Sequence, residues 1–82
     1  MADKIEKFLR KLPARECSRA VCTIRDIYNR NTAHLHIKKL RGSKAMFRVR
    51  MGDIRIIFEE VDDEPVVIFV GKRSDINYKK LL

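Results

Sequence analysis

Ile5, Phe8, Leu9 and Leu12 recur at i, i+3, i+4 and i+7, the apolar stripe of a short helix over residues 3–12. Pro13 ends it, because proline has no amide to give to a helix interior. Cys17, Ala20, Val21, Ile24, Ile27 and Tyr28 then keep the same period, so a second and longer helix runs from Ala14 to about Arg30. The break between the two is so short that they form an antiparallel helical hairpin. Residues 29–45, NRNTAHLHIKKLRGSKA, lose the helical period, collect Asn, Thr, Gly and Ser, and carry five basic residues with no acidic one. They read as a basic connector.

Beyond it the pattern changes from helical to alternating. Segments 46–51, 54–60 and 66–71 are rich in Val, Ile and Phe, joined first by Gly52-Asp53 and then by a longer acidic turn around VDDEP. Short turns make the three strands an antiparallel meander. SDINYKKLL follows as a short C-terminal helix or tail, with Ser74 at the N-cap. The fold class is therefore α+β, an N-terminal helical hairpin packed on a three-stranded antiparallel meander. At 82 residues this is one domain spanning 1–82.

The stretch FRVRMGDIRIIF fixes its own register. With Gly first in a two-residue turn, Met51 faces Ile54, Arg50 faces Arg55, Val49 faces Ile56 and Arg48 faces Ile57. Phe47, Val49, Met51, Ile54, Ile56 and Phe58 then share the face that the helices cover, and Arg48, Arg50 and Arg55 share the other. Like charges directly opposite one another cost a few tenths to about 1 kcal/mol, so folding alone does not ask for the Arg50–Arg55 pair. The exit of the third strand brings Lys72 and Arg73 to the same end. A solvated strand face is the plain reading of any one such arginine. For the whole set, an anion-binding site accounts better for the arrangement.

Charge extends this picture. The chain carries a formal net charge of +8 with 19 basic and 11 acidic side chains. Residues 1–45 hold 12 basic and 4 acidic groups, a net of +8, whereas residues 46–82 hold 7 of each. Within that neutral half, Glu59, Glu60, Asp62, Asp63 and Glu64 gather at one end of the meander and Arg50, Arg55, Lys72 and Arg73 at the other. Such a protein seeks polyanions: nucleic acid, an anionic membrane surface or an acidic protein. No apolar run is long enough for a membrane span and the N-terminus lacks a signal-peptide core, which places the chain in the cytoplasm as a soluble protein. Cys17 and Cys22, five apart without a second pair, match neither a disulfide framework nor a zinc spacing. His34 and His36 lack a nearby carboxylate or third ligand in the sequence and read as a surface pair rather than a metal site.

The order helix, helix, meander, together with KKLRG, FRVRMGDIRIIFE and VVIFVGKRSDINY, resembles the RelE/ParE superfamily of toxin–antitoxin toxins over nearly the whole chain. The resemblance implies a cytoplasmic toxin held neutral by an acidic antitoxin protein, with no cofactor and no metal. Of the two types, RelE-like toxins are ribosome-dependent endonucleases that cut mRNA, and ParE-like toxins inhibit DNA gyrase. A non-catalytic member that only binds RNA or an antitoxin is a third reading.

Carried over position by position, the RelE-type catalytic cations fall on Arg48, Arg50, Arg55 and Arg73. The family's terminal tyrosine is expected at Asn77, and the nearest match is Tyr78. Lys38, Lys39, Arg41, Lys44 and Lys72 are the RNA-binding candidates. All four cation positions being basic favours the RelE-like reading over the ParE-like one.

Two departures accompany the match. Arg48 and Arg50 stand where many RelE-type toxins have lysine, and arginine is a poor general base. The base stays open among His34, His36, Lys72 and a ribosomal group. Family members also usually begin with a strand before the first helix, so the sheet here is expected to keep an open edge for a partner chain or a second copy, as in a homodimer.

Overall fold

The computed structural model of the protein describes residues 3–76 and turns the two apolar stripes into α1 (Asp3–Arg10) and α2 (Ala14–Tyr28). The last turn of α1 tightens before the proline, with Lys11 and Leu12 amides donating to the Phe8 and Leu9 carbonyls at 3.1 and 3.2 Å. Pro13 then caps α2, where its missing amide costs nothing, and its carbonyl accepts the Cys17 N–H at 2.9 Å.

α2 stops at Tyr28 because the chain turns left-handed at Arg30, with φ of 60°. The Arg30 amide donates to the Ile27 carbonyl and the Asn31 amide to the Asp26 carbonyl, the two bonds of a Schellman cap. Glycine normally occupies that position because an L side chain there crowds its own backbone. Arg30→Gly is accordingly expected to raise stability by about 0.5–1 kcal/mol, read as a higher urea midpoint with an unchanged denaturant slope.

The sheet has four strands in the order β1 (His36–Lys39), β2 (Met46–Met51), β3 (Ile54–Val61) and β4 (Glu64–Lys72), every neighbouring pair antiparallel. The three-stranded expectation is therefore one strand short. The basic connector supplies the extra strand, which pairs along β2. Among the described residues, the lateral edges of the sheet are β1 and β4.

Turns set the registers. Gly52 takes φ of 59° in the β2–β3 hairpin, and Arg50 pairs with Arg55 and Val49 with Ile56 as the sequence implies. The acidic turn is tighter than expected: Asp62 and Asp63 alone make it, both left-handed at φ of 52° and 66°, the mirror geometry that two-residue hairpins favour. In β4, Ile57 pairs with Phe69 but Phe58 with Val67, so Ile68 is the extra residue of a β-bulge. The Val67 amide donates to the Tyr28 hydroxyl at 3.0 Å, tying the bulge to α2.

Val49, Ile54, Ile56 and Phe58 are buried against Ile5, Leu9, Ala20, Ile24 and Ile27 of the helices, as the alternation requires. Val67 and Val70 extend the core across β4. Phe47 stacks on Phe58 with ring centroids 5.3 Å apart. After β4 the chain makes a 3₁₀ turn, Arg73–Asp75, so Ser74 lies inside that turn and Lys72 is at its N-cap position. The expected C-terminal helix or tail lies outside the described residues, and Tyr78 with it.

Candidate nucleic-acid interface

Register and alternation together lay out the sheet face that points away from the helices. One rung across the four strands reads His36, Arg50, Arg55 and Gly71; the next reads Lys38, Arg48, Ile57 and Phe69. Neighbouring strands lie about 4.8 Å apart, so each rung holds its side chains side by side. Arg48 and Arg50 stand at i and i+2 of one strand and point the same way.

The three arginines are not equivalent. Arg50 is exposed, Arg48 is half-buried, and Arg55 is only 4% exposed. The Arg55 Nη1 donates to the Gly52 carbonyl at 2.7 Å and to the Ile54 carbonyl at 3.2 Å. Its guanidinium is thus folded back onto the β2–β3 turn. This relieves the facing pair: Arg50 extends into solvent while the charge of Arg55 is spread over backbone carbonyls.

That turn also anchors the exit of β4. The Arg73 amide donates to the Asp53 carbonyl at 2.8 Å, which holds Arg73 at the same end of the sheet as Arg50 and Arg55. Arg73 and Lys72 are exposed and, with Asp53 and Ser74, border a depression of about 350 Å³. Lys72 pairs with Ile54 and so belongs to the helix side, where it lines a smaller cleft with Glu16 and Arg19.

The RNA-binding candidates divide. Lys38 shares the open face with Arg48, whereas Lys39 pairs with Phe47 and faces the helix side. Arg41 and Lys44 sit in the 40–45 turn at the opposite end, where the Glu60 amide donates to the Ala45 carbonyl at 2.8 Å. A six-residue strand spans roughly 20 Å, which is the separation between that turn and the Gly52 end. Arg41 and Lys44 are therefore neighbours of Glu59 and Glu60, not of Arg73.

A groove of about 710 Å³ opens between α2 and the start of β1, bordered by Arg19, Asp26, His34, His36, Arg50 and Gly52 among others. The turn after α2 brings Asp26 to His34, with Nε2 at 3.0 Å from Oδ2, so His34 does have a carboxylate partner that sequence spacing concealed. Cys17 and Cys22 are free thiols, and no cluster of three or more His, Cys, Asp or Glu among the described residues would hold a metal ion. No helix among the described residues is long and apolar enough to cross a membrane.

Two residues of this face escaped the sequence reading. The Phe69 ring lies over Gly71, its Cζ and Cε2 at 2.6 and 2.8 Å from where a Cβ would stand. Phe69 is half-buried and in register with Ile57, which is fully buried beside the Arg48 and Arg55 positions. The signal was the glycine inside an otherwise Val- and Phe-rich strand, which marks close approach to the backbone.

No family model and no curated protein matches the sequence. Among solved structures, the protein is similar to a chain of the RelB–RelE antitoxin–toxin complex from Methanococcus jannaschii, with a TM-score of 0.77 and 28% identity over 99% of this chain and 96% of that one. Two helices over a four-stranded antiparallel sheet, matched over almost the whole of both chains, give this protein a RelE-like toxin fold.

Proposed function

We propose that this protein is the toxin of a type II toxin–antitoxin system and that it cuts mRNA on the ribosome, stopping translation. The observation that carries this reading is the convergence of Arg48, Arg50 and Arg55 on one sheet face with Arg73 pinned at the same end. In the reaction, the ribose 2′-OH attacks the adjacent phosphate and negative charge builds on the phosphoryl oxygens. Arg50, Arg48 and Arg73 would receive that charge, since guanidinium binds phosphate oxygens in pairs. Arg55 adds its charge from beneath while bracing the turn. The net charge of +8 supports docking on ribosomal RNA as well as on the message.

The solved neighbour is an antitoxin–toxin complex. By the same likeness, this protein's partner is an acidic antitoxin whose disordered segment wraps the basic surface and neutralises it in the cytoplasm. A strand of that segment, or of a second copy in a homodimer, has the edges of β1 and β4 available for pairing.

Purified protein added to ribosomes programmed with mRNA tests the proposal. Wild type is expected to cut within the decoding site, and Arg73→Ala to cut about 10²-fold more slowly, the usual loss for one donor to a developing oxyanion. Intact mRNA with wild type overturns the reading. Inhibition of gyrase supercoiling without any effect on translation would replace it with the ParE-like one.

A further inference from the structure

We infer that His36 is the proton-transfer residue of this face: its imidazole takes the proton of the attacking 2′-OH. The inference rests on the proposed mRNA cleavage and supplies what the arginines cannot. Guanidinium stays protonated in proteins, so Arg48, Arg50, Arg55 and Arg73 stabilise charge but accept no proton. Imidazole both accepts and donates one near neutral pH.

Three side chains compete for the role. Lys72 borders the depression at Arg73 but pairs with Ile54 and so lies on the helix side of the sheet. His34 is held by Asp26 at 3.0 Å, in the turn before β1 and off the sheet. His36 is the first residue of β1, in direct register with Arg50 and on the same face. It is exposed and, like His34, borders the groove of Arg50, but among the described residues its ring, unlike that of His34, makes no side-chain hydrogen bond.

Directly opposed side chains have Cβ atoms about 4.5–5.5 Å apart, so a phosphate held by Arg50 sets the neighbouring ribose within reach of His36. β1 sets the placement through its register with β2. Its ladder with β2 is continued by the Leu40 amide donating to the Met46 carbonyl at 2.9 Å.

A neutral His36 nitrogen accepts the 2′-OH proton as the 2′-oxygen bonds to phosphorus and the P–O5′ bond breaks. The products are a 2′,3′-cyclic phosphate and a 5′-oxygen that takes a proton from water, and the imidazolium returns its proton to solvent. No oxidant, metal or cofactor enters.

Single-turnover cleavage on programmed ribosomes, with ribosome affinity measured in parallel, tests the assignment. His36→Ala is expected to cut about 10²–10⁴-fold more slowly, the loss typical of a missing general base, to bind the ribosome about as tightly as wild type, and to recover part of its rate in added imidazole. His34→Ala is expected to cut like wild type. The inference falls if His36→Ala cuts at the wild-type rate, if its loss only mirrors weaker ribosome binding, or if imidazole restores nothing. Wild type that cuts while Arg73→Ala fails and His36→Ala succeeds removes this inference alone. Wild type that leaves the message intact removes the mRNA reading and His36 with it.

Discussion

Arg55→Ala is expected to lower stability by about 3 kcal/mol and cleavage by about 10³-fold, a double loss that no exposed arginine of the face should show. The side chain is 4% exposed and its Nη1 serves two carbonyls of the β2–β3 hairpin, Gly52 and Ile54. Hydrogen bonds from a charged donor contribute about 1.5–3 kcal/mol, and the space left by the stem adds a cavity term. For a domain of this size such a loss lowers the melting temperature by roughly 12–24 °C.

The functional part follows from the same bonds. The turn that Arg55 braces carries the Asp53 carbonyl that holds the Arg73 amide, so truncation removes one cation and loosens the position of another. Arg55→Lys keeps a charge but not the planar fork, and is expected to recover stability and rate only in part. Thermal melting and single-turnover cleavage by the folded fraction measure both effects. A variant that melts like wild type would show that Arg55 is a surface phosphate ligand instead of a brace.

This dual role marks where the sequence was readable and where it was not. The register of Arg50 on Arg55 was legible because a two-residue turn with Gly first leaves one pairing, and Gly52 adopts the left-handed geometry that the turn needs. The core face was legible for the same reason, since period-two alternation separates Ile54, Ile56 and Phe58 from Arg55 and Ile57. Alternation tells which face a residue takes, not whether that face is wet. Arg55 and Ile57 look outward in the pattern and are nonetheless buried.

β1 was hidden for a different reason. HIKK offers one aliphatic residue in four, too few for any period to register, and it becomes a strand because β2 presents an edge to pair with. With β1 unseen, the placement of His36 beside Arg50 was unseen as well, and so was the removal of Arg41 and Lys44 to the acidic end. The acidic turn around VDDEP is shorter than the sequence suggests, Asp62 and Asp63 alone, because the pairing runs on to Val61 and Glu64. β4 carries Pro65 as its second residue, opposite Glu60 near the strand end.

The other large effect is expected from Ile56→Ala, which separates the fold from the chemistry. Ile56 is fully buried, pairs with Val49 on one side and Val70 on the other, and lies on the helix face of the central hairpin. Truncating such a residue costs about 2–5 kcal/mol in lost burial and residual cavity. An 82-residue domain has only about 4–12 kcal/mol in all, so the variant is expected to melt tens of degrees lower or to be partly unfolded at growth temperature. Ile56→Val removes a single methylene and should cost about 0.5–1.5 kcal/mol, shifting the urea midpoint without changing the slope. Because Ile56 faces away from the arginines, the valine variant is expected to cut mRNA at the wild-type rate at 25 °C while melting earlier. A valine variant that stays as stable as wild type yet loses cleavage would mean that the two faces of the sheet are coupled, and that the helices help to aim the open-face arginines.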